Sequence, residues 1–410
     1  MRPYLRSANV TWAGIDTADV KEMNFDPGEA ATFELAPGDL LLNEASGSPN
    51  EVGKPAIWRE EIPGCCFQNT LLRVRSPHLS SGYLYWYCHA SALHGDFGDA
   101  GRGVNIRHLG KRGLTSFPLP LPPRPEQERI VAAVDEHLSR LDAAETGLAA
   151  ARLRIRAMEI SIITRAALTL SPPSHWSQIT VAEAGRVGLG LQRSPKRHQG
   201  PNMRPYLRVA NVFEDRIDDG DVKTMDISDA EWERYQLHDG DVLLNEGQSP
   251  DLLGRPAIYR GDPPDVAFTN SLIRFQAGEG VDPEWALLVF RSHMHTRRFM
   301  RESNITTNIA HLAAGRFKTV EFPVPPMDEQ RSRVAEARRG LEACTRLRAD
   351  LTAAQKRAAA VRRSILAAAF SGQLVTQDPD DEPASMLLER IATVRAAATP
   401  PKPRRKSASA

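Results

Sequence analysis

Over the first 120 or so residues apolar positions come in short runs, DLLLN from Asp39, PAIWR from Pro55 and NTLLRVR from Asn69, separated by turns rich in Gly, Pro, Asn and Ser. That spacing predicts short strands. Helical stretches are fewer, among them YLYWYCHASAL from Tyr83 and PEWALLVFRSHMHTRRFM from Pro283. The pattern predicts an α+β domain dominated by a curved sheet.

After Pro125, and again after Pro326, the pattern changes to a long helical period with no proline until Pro172 and Pro379. Each stretch has room for a helix of about 43 residues, roughly 65 Å at 1.5 Å per residue. Acidic Glu126 and Asp328 suit the positive helix starts. In the first helix Val134, Leu141, Leu148, Ile155 and Ile162 recur every seven residues, flanked by Leu138, Ala144, Ala151 and Met158. The matching positions of the second are Ala337, Cys344, Leu351, Ala358 and Ile365, flanked by Leu341, Leu347, Ala354 and Val361. Small residues in one seam face large ones in the other, so the two helices are expected to pair as a coiled coil.

The change of pattern occurs twice because the chain repeats itself. MRPYLRSANV at Met1 returns as MRPYLRVANV at Met203, and GDLLLNEASGSPNEVGKPAIWR at Gly38 returns as GDVLLNEGQSPDLLGRPAIYR at Gly240. FQNTLLRVR, VNIRHL, PLPPRPEQERI and SIITRAAL are followed in the same order by FTNSLIRFQ, TNIAHL, PVPPMDEQRSRV and SILAAAF, at offsets of 201 to 203. Such order predicts two copies of one module, each a globular head followed by a long helix. The expected boundaries are a first head over 1–123, a first helix over 124–170, a second head over 171–326, a second helix over 327–376, and a short helix with a basic disordered tail over 377–410. The first copy starts at the counterpart of Met203 and has no match to the tryptophan lead-in and basic loop of 176–202, about 27 residues. The first head is therefore expected to be N-terminally incomplete.

Charge is nearly balanced, with 52 Lys+Arg against 51 Asp+Glu, so any nucleic-acid surface must be local. The four cysteines, Cys65, Cys66, Cys88 and Cys344, have no C-x-x-C spacing and read as reduced cytosolic thiols. No signal peptide or membrane-length apolar run is present, which points to a cytoplasmic protein.

Two β-rich heads, each ending in a proline–EQ phrase (PPRPEQ at Pro122, PPMDEQ at Pro325), with GDxLLNE, NIxHL and a closing SILAAAFSGQLV, resemble the specificity subunit of a Type I restriction–modification enzyme over essentially the whole chain. The resemblance implies two target recognition domains that each read half of a bipartite double-stranded DNA site, and two long helices in an antiparallel coiled coil whose length sets the gap. It implies a subunit without chemistry of its own, docking two methyltransferase subunits and the restriction/translocase subunits. S-adenosylmethionine, ATP and Mg are then expected on those partners, with no cofactor on this chain. The alternative is a truncated scaffold that binds methyltransferase subunits through its coiled coil without reading DNA.

DNA recognition needs cations for phosphates and forked donors for base edges. The turn-rich loop QRSPKRHQGPNMR offers Arg193, Lys196, Arg197, His198 and Arg204, and Tyr206 and Arg208 follow on a strand. RSHMHTRRFMRESNITTN adds Arg297, Arg298 and Arg301, then Asn304, Thr307 and Asn308. The hairpin after Asn245 and Glu246 adds Gln248 and Arg255, whereas Asn245 and Glu246, like Asn43 and Glu44, equally suit turn backbone. In the first copy the candidates are Arg6, Ser46, Lys54, Arg102 and Asn105. Catalytic patterns are weak. GRVGLGL and GDPPD read as turns, no G-x-x-x-x-G-K-[ST] loop occurs, and His89 and His94 are poorly spaced for a metal.

Overall fold

The computed structural model describes residues 1–46, 51–99, 107–306 and 309–398. The chain forms two compact units, one of Met1–Gly147 with Ala354–Ala410, the other of Leu148–Ala353. The division runs through both long helices, Arg124–Ala167 and Met327–Phe370, so each head carries half of each helix.

In the second unit a four-stranded antiparallel sheet runs in the order Gly185–Leu189, Leu272–Ala277, Val242–Asn245, Pro256–Ile258. Its strand Val242–Asn245 is buried throughout because both faces are covered, as a continuous apolar run requires. Val242 and Leu244 pack toward the helix Pro283–His295, while Leu243 joins Leu207, Val212 and Phe268 on the other face. A second sheet places Met203–Leu207 between Lys223–Asp226 and Ala267–Phe268, antiparallel to the first and parallel to the second.

The first unit repeats this plan. Leu40–Asn43 lies between Pro55–Ile57 and Leu71–Val74, and Arg2–Leu5 between Lys21–Met23 and Cys66–Phe67. Leu40 and Leu42 face the helix Ser81–His94, and Leu41 faces the opposite core.

Several repeated residues are explained by hydrogen bonds made in both copies. Asn211 Nδ2 donates to the carbonyls of Asp218 (2.9 Å) and Asp221 (3.2 Å), and its oxygen accepts from Arg208 N (3.1 Å). Asn9 makes the same three bonds, to Asp16 (2.9 Å), Asp19 (3.1 Å) and from Arg6 N (2.9 Å). The glutamine of each proline–EQ phrase is fully buried. Gln330 Oε1 accepts from Asp282 N (2.9 Å), and its Nε2 donates to the carbonyls of Gly280 and Pro325 (both 2.8 Å). Gln127 Oε1 accepts from Ser80 N (3.0 Å) and its Nε2 donates to Pro122 O (3.0 Å). Each glutamine thus ties the start of a long helix to the N-cap residue of the head helix.

Gly53 and Gly254 are demanded by geometry. Both have positive φ (+73° and +68°), and a Cβ would stand 2.2 Å from the Phe97 ring in one and 2.5 Å from the Phe299 ring in the other. Gly254→Ala is expected to cost about 2–3 kcal/mol, from strain and overpacking together. A urea midpoint equal to that of the parent chain would contradict this account.

Within the first unit, Ile130, Val134 and Leu138 share a core with Leu366 and Ala369, and Arg362 pairs with Asp142 and Glu145. Within the second, Ile162 and Ile163 pack with Ala337 and Leu341, Arg348 pairs with Glu159, and a Cβ on Gly340 would meet Ile162 at 3.0 Å. In each unit rising numbers on one helix meet falling numbers on the other, so the paired segments are antiparallel. Of the expected seam, Val134, Ile155, Ala337, Cys344 and Ala358 are buried, while Leu141, Leu148, Ile162, Leu341, Leu351 and Ile365 are half-buried. The flanking face differs from the heptad reading: Met158, Leu347 and Val361 are exposed, and Ile163, Leu366 and Glu159 are buried instead. A helix of 3.6 residues per turn drifts about 20° per heptad from a 3.5 repeat, which rotates those positions outward.

All four thiols are free and buried, and burial pushes Cys65 and Cys88 up to about 12.

Candidate nucleic-acid interface

The basic loop of the second unit is held down by one of its own cations. Ser194 accepts from Lys196 N (3.4 Å) to start the turn Pro195–Arg197. Arg197 then donates to both oxygens of Glu231 (3.0 and 2.6 Å) and to Asp226 O (3.1 Å). The Arg197 hydrogen bond, with help from Ser228, pulls the Glu231 carboxyl down to about 2. Arg197 therefore anchors the loop. Arg193, Lys196 and His198 remain exposed, with no carboxylate paired to them among the described residues, and Arg193 also lies over the Tyr206 ring at 5.8 Å. An open cleft lies between Gln192, Arg193, Ser194, Lys196, Arg197 and Asp226.

The strand candidates belong to the frame. Tyr206 is buried beside Leu191 and Met225. Arg204 pairs with Asp229 and stacks on Trp232 at 4.8 Å. Arg208 pairs with Asp221, as Arg6 pairs with Asp19 (2.9 Å) in the first unit. Arg298 is clamped by both oxygens of Glu321 (2.6 and 2.5 Å) and by Glu302 (2.9 Å). Arg255 is half-buried against Phe213 at 4.7 Å, and burial lowers its pKa. Lys54 is 8% exposed, close to Glu51 (3.4 Å) and over the Trp12 ring at 6.0 Å. Asn43 and Asn245 are buried too. A guanidinium already chelated by a carboxylate, or an ammonium under an indole, has little to offer a phosphate without breaking that contact.

A second feature is the three-stranded sheet in which Ile309–Leu312 lies between Gly247–Gln248 and Ser303–Thr306. Gln248 stands opposite Ala310, and Ala310 opposite Ile305. Gly247 stands opposite His311, and His311 opposite Asn304. The hairpin and the segment after Arg301, which are about 50 residues apart, thus meet in one sheet. Arg301 itself is exposed, and Arg297 makes an exposed pair with Asp251 (2.5 Å). The first unit has the equivalent pairing, Ser46 opposite Arg107 and Ala45 opposite His108. Thr307, Asn308, Arg102 and Asn105 lie outside the described residues.

His311 and His108 were not singled out from the sequence as readers, although the recurring NIxHL phrase carries both. The His311 side chain is 44% exposed, with Nδ1 3.3 Å from Glu246 Oε2. Among the described residues no group of three His, Cys, Asp or Glu side chains is placed to hold a metal ion. The buried His89 and His293 are brought down to about 4 by loss of hydration. No helix among the described residues is long and apolar enough to cross a membrane.

Comparison with known proteins bears on this arrangement of two repeated heads. The chain is similar to the Type I restriction enzyme EcoKI specificity subunit of Escherichia coli K12, 24% identical over 426 residues that cover 98% of this chain and 91% of that protein. It is similar at 23% identity over 428 residues to the StySPI specificity subunit of Salmonella potsdam, covering 99% and 91%. Over nearly its whole length the chain is thus similar to Type I specificity subunits. No protein-family model matches it. Among solved structures, a chain from a study of assembly and conformational transition of the type I R-M system aligns with a TM-score of 0.70 at 16% identity, over 91% of this chain and 92% of that one. The HsdS subunit of Thermoanaerobacter tengcongensis aligns with a TM-score of 0.56 at 18% identity, over 91% and 90%. These share the mixed helix-and-strand fold of the Type I specificity subunits.

Proposed function

We propose that this chain reads a bipartite DNA sequence on behalf of a Type I restriction–modification complex, each head reading one half. The observation that carries this reading is the division among the cations of the second head. Arg197, Arg204, Arg208 and Arg298 are held by carboxylates of the frame, while Arg193, Lys196 and His198 are exposed and have no such partner among the described residues. The unpartnered set grips phosphates, and the sheet of Gly247–Gln248, Ile309–Leu312 and Ser303–Thr306, with His311 on its surface, presents the reading edge to bases. Gln248 gives way to Ser46 in the matching hairpin of the first unit, so the half-sites differ.

The two long helices form an antiparallel coiled coil whose length sets the gap between half-sites. Two methyltransferase subunits dock on it and on the adjoining head faces, and restriction/translocase subunits complete the complex in the cytoplasm. The chain itself is non-catalytic. S-adenosylmethionine, ATP and Mg are used by the partners.

Methylation mapping in cells with and without this chain, in the presence of its methyltransferase partner, tests the reading. A chain-dependent bipartite motif with a fixed gap is the expected result. Absence of any motif despite co-purification with the methyltransferase overturns it in favour of a scaffold that does not read DNA. In the assembled complex, the double variant Arg193→Ala/Lys196→Ala is expected to weaken DNA binding uniformly across sequences and to flatten the log K against log salt slope by about 1.8, at roughly 0.9 per lost phosphate contact. An unchanged slope assigns the phosphate grip elsewhere.

A further inference from the structure

The two long helices present nearly the same apolar face. At the offset of 203 that relates Gln127 to Gln330 and Ser161 to Ser364, Leu138 matches Leu341, Ile162 matches Ile365, Ile163 matches Leu366 and Ala166 matches Ala369. Leu138 and Leu366 share a core in the first unit, as Ile163 and Leu341 do in the second. Burial of apolar surface is non-directional, so these residues alone would let either helix pair with a second copy of itself.

The charges beside that face are not alike. In the second unit Glu159 of the first helix pairs with Arg348 of the second. In the first unit Glu145 of the first helix pairs with Arg362 of the second (3.5 Å), and Asp142 pairs with the same guanidinium. The offset of 203 carries Glu145 onto Arg348 and Glu159 onto Arg362. The two units therefore make one and the same contact with its signs exchanged. At both positions the first helix is acidic and the second is basic.

A change of partner breaks both contacts. In an antiparallel pair of two first helices Glu159 would meet Glu145 and Asp142, and symmetry would repeat the clash; in a pair of two second helices Arg348 would meet Arg362, again twice. Glu159 makes the first of these especially unfavourable, because its side chain is only 4% exposed and a second carboxylate would meet it with little water between. Charges flanking an apolar seam choose partners in this way, by repelling the wrong one as much as by attracting the right one.

We propose that Asp142, Glu145, Glu159, Arg348 and Arg362 form a pairing code, by which the first helix accepts the second and rejects a further copy of itself, so that two unlike heads are joined and two like heads are not. This rests on the helix pairing within the proposed function and not on DNA reading, so a failure to find a methylated motif leaves it standing.

The test uses the full chain. Arg348→Glu/Arg362→Glu gives the second helix the charges of the first and reproduces, within one chain, the contacts of two first helices. Amide hydrogen exchange over 138–163 and 341–366 is expected to be at least about a hundredfold faster than in the parent, because like charges set against each other at an interface are strongly unfavourable. The loss should shrink in about 1 M salt, where charges are screened beyond roughly 3 Å. Adding Glu145→Arg and Glu159→Arg restores opposite signs, and exchange is expected to return to within about tenfold of the parent, the remainder being due to Asp142 and Arg156, which keep their signs beside like charges. Parent-like exchange in the double variant overturns the proposal. So does equally fast exchange in the double and quadruple variants, which would mean that these side chains act through packing and not through charge.

Discussion

Glu214→Ala is expected to destabilise the second unit by about 3–5 kcal/mol, the usual cost of leaving buried charges without their partner. Glu214 is the hub of a partly buried cluster: its carboxylate accepts from His295 Nε2 (2.8 Å), Arg291 Nε (3.0 Å) and Arg156 (3.3 Å). Burial by itself pushes this carboxyl up, but the His295 hydrogen bond and the charges of Arg291, His295 and Arg156 outweigh it and bring it down to about 2. Because the folded value lies below the ordinary 4.5, the stabilisation is fully present above about pH 4.5 and is lost as pH falls toward 2. Integrated over that window it amounts to about 3 kcal/mol. Urea unfolding of parent and variant should therefore differ most at neutral pH and converge in acid. A difference that stays constant down to pH 3 would mean that packing, and not charge, is what the mutation removes. His89 and His293 lose stability in a different window. They are held near 4, below the ordinary 6.5, so the unfolded chain takes up protons first and their cost grows as pH falls from 6.5 to 4 in both proteins alike.

The second large effect belongs to the proline–EQ junction. Gln330→Ala leaves Asp282 N and the carbonyls of Gly280 and Pro325 without a partner in a site that excludes water, and each orphaned group costs about 1–3 kcal/mol. Relaxation of the loop recovers part of the sum, so a loss of about 3 kcal/mol is expected. Gln330→Glu is the sharper control. It keeps the acceptor for Asp282 N but turns the donor to Gly280 and Pro325 into a second acceptor, and it should be at least as damaging at neutral pH. Thermal unfolding followed by tryptophan fluorescence reads both, since Trp285 is fully buried in the same core. Parent-like unfolding of either variant would show that the glutamine is not what ties helix to head.

What could be read from the sequence follows from what kind of signal carried it. The two-fold repeat and the long helices were legible because they rest on order and periodicity, which survive divergence. The alternation of Leu40, Leu41 and Leu42 between two cores was hidden, since a strand covered on both faces shows no polar–apolar period. Val134 and Cys344 are buried, whereas Met158, expected to flank them, is exposed, because a strict heptad accumulates error along a nearly straight helix. For the candidate interface, composition located the basic loop but did not distinguish Arg197 from Arg193. That difference depends on Glu231, 34 residues away, and only the fold brings it within reach. The meeting of Gln248 with the strand of Asn304 was likewise invisible until both had paired with Ile309–Leu312.

The burial of every cysteine has a practical consequence. Cys65, Cys66 and Cys88 lie in the first unit and Cys344 in the second. A thiol shut away from solvent, and held as the protonated species, reacts with an alkylating reagent only when its surroundings open. The chain therefore carries its own set of clocks, three in one unit and one in the other. The rate at which each residue is alkylated under native conditions reports how often that unit opens, with no foreign probe introduced.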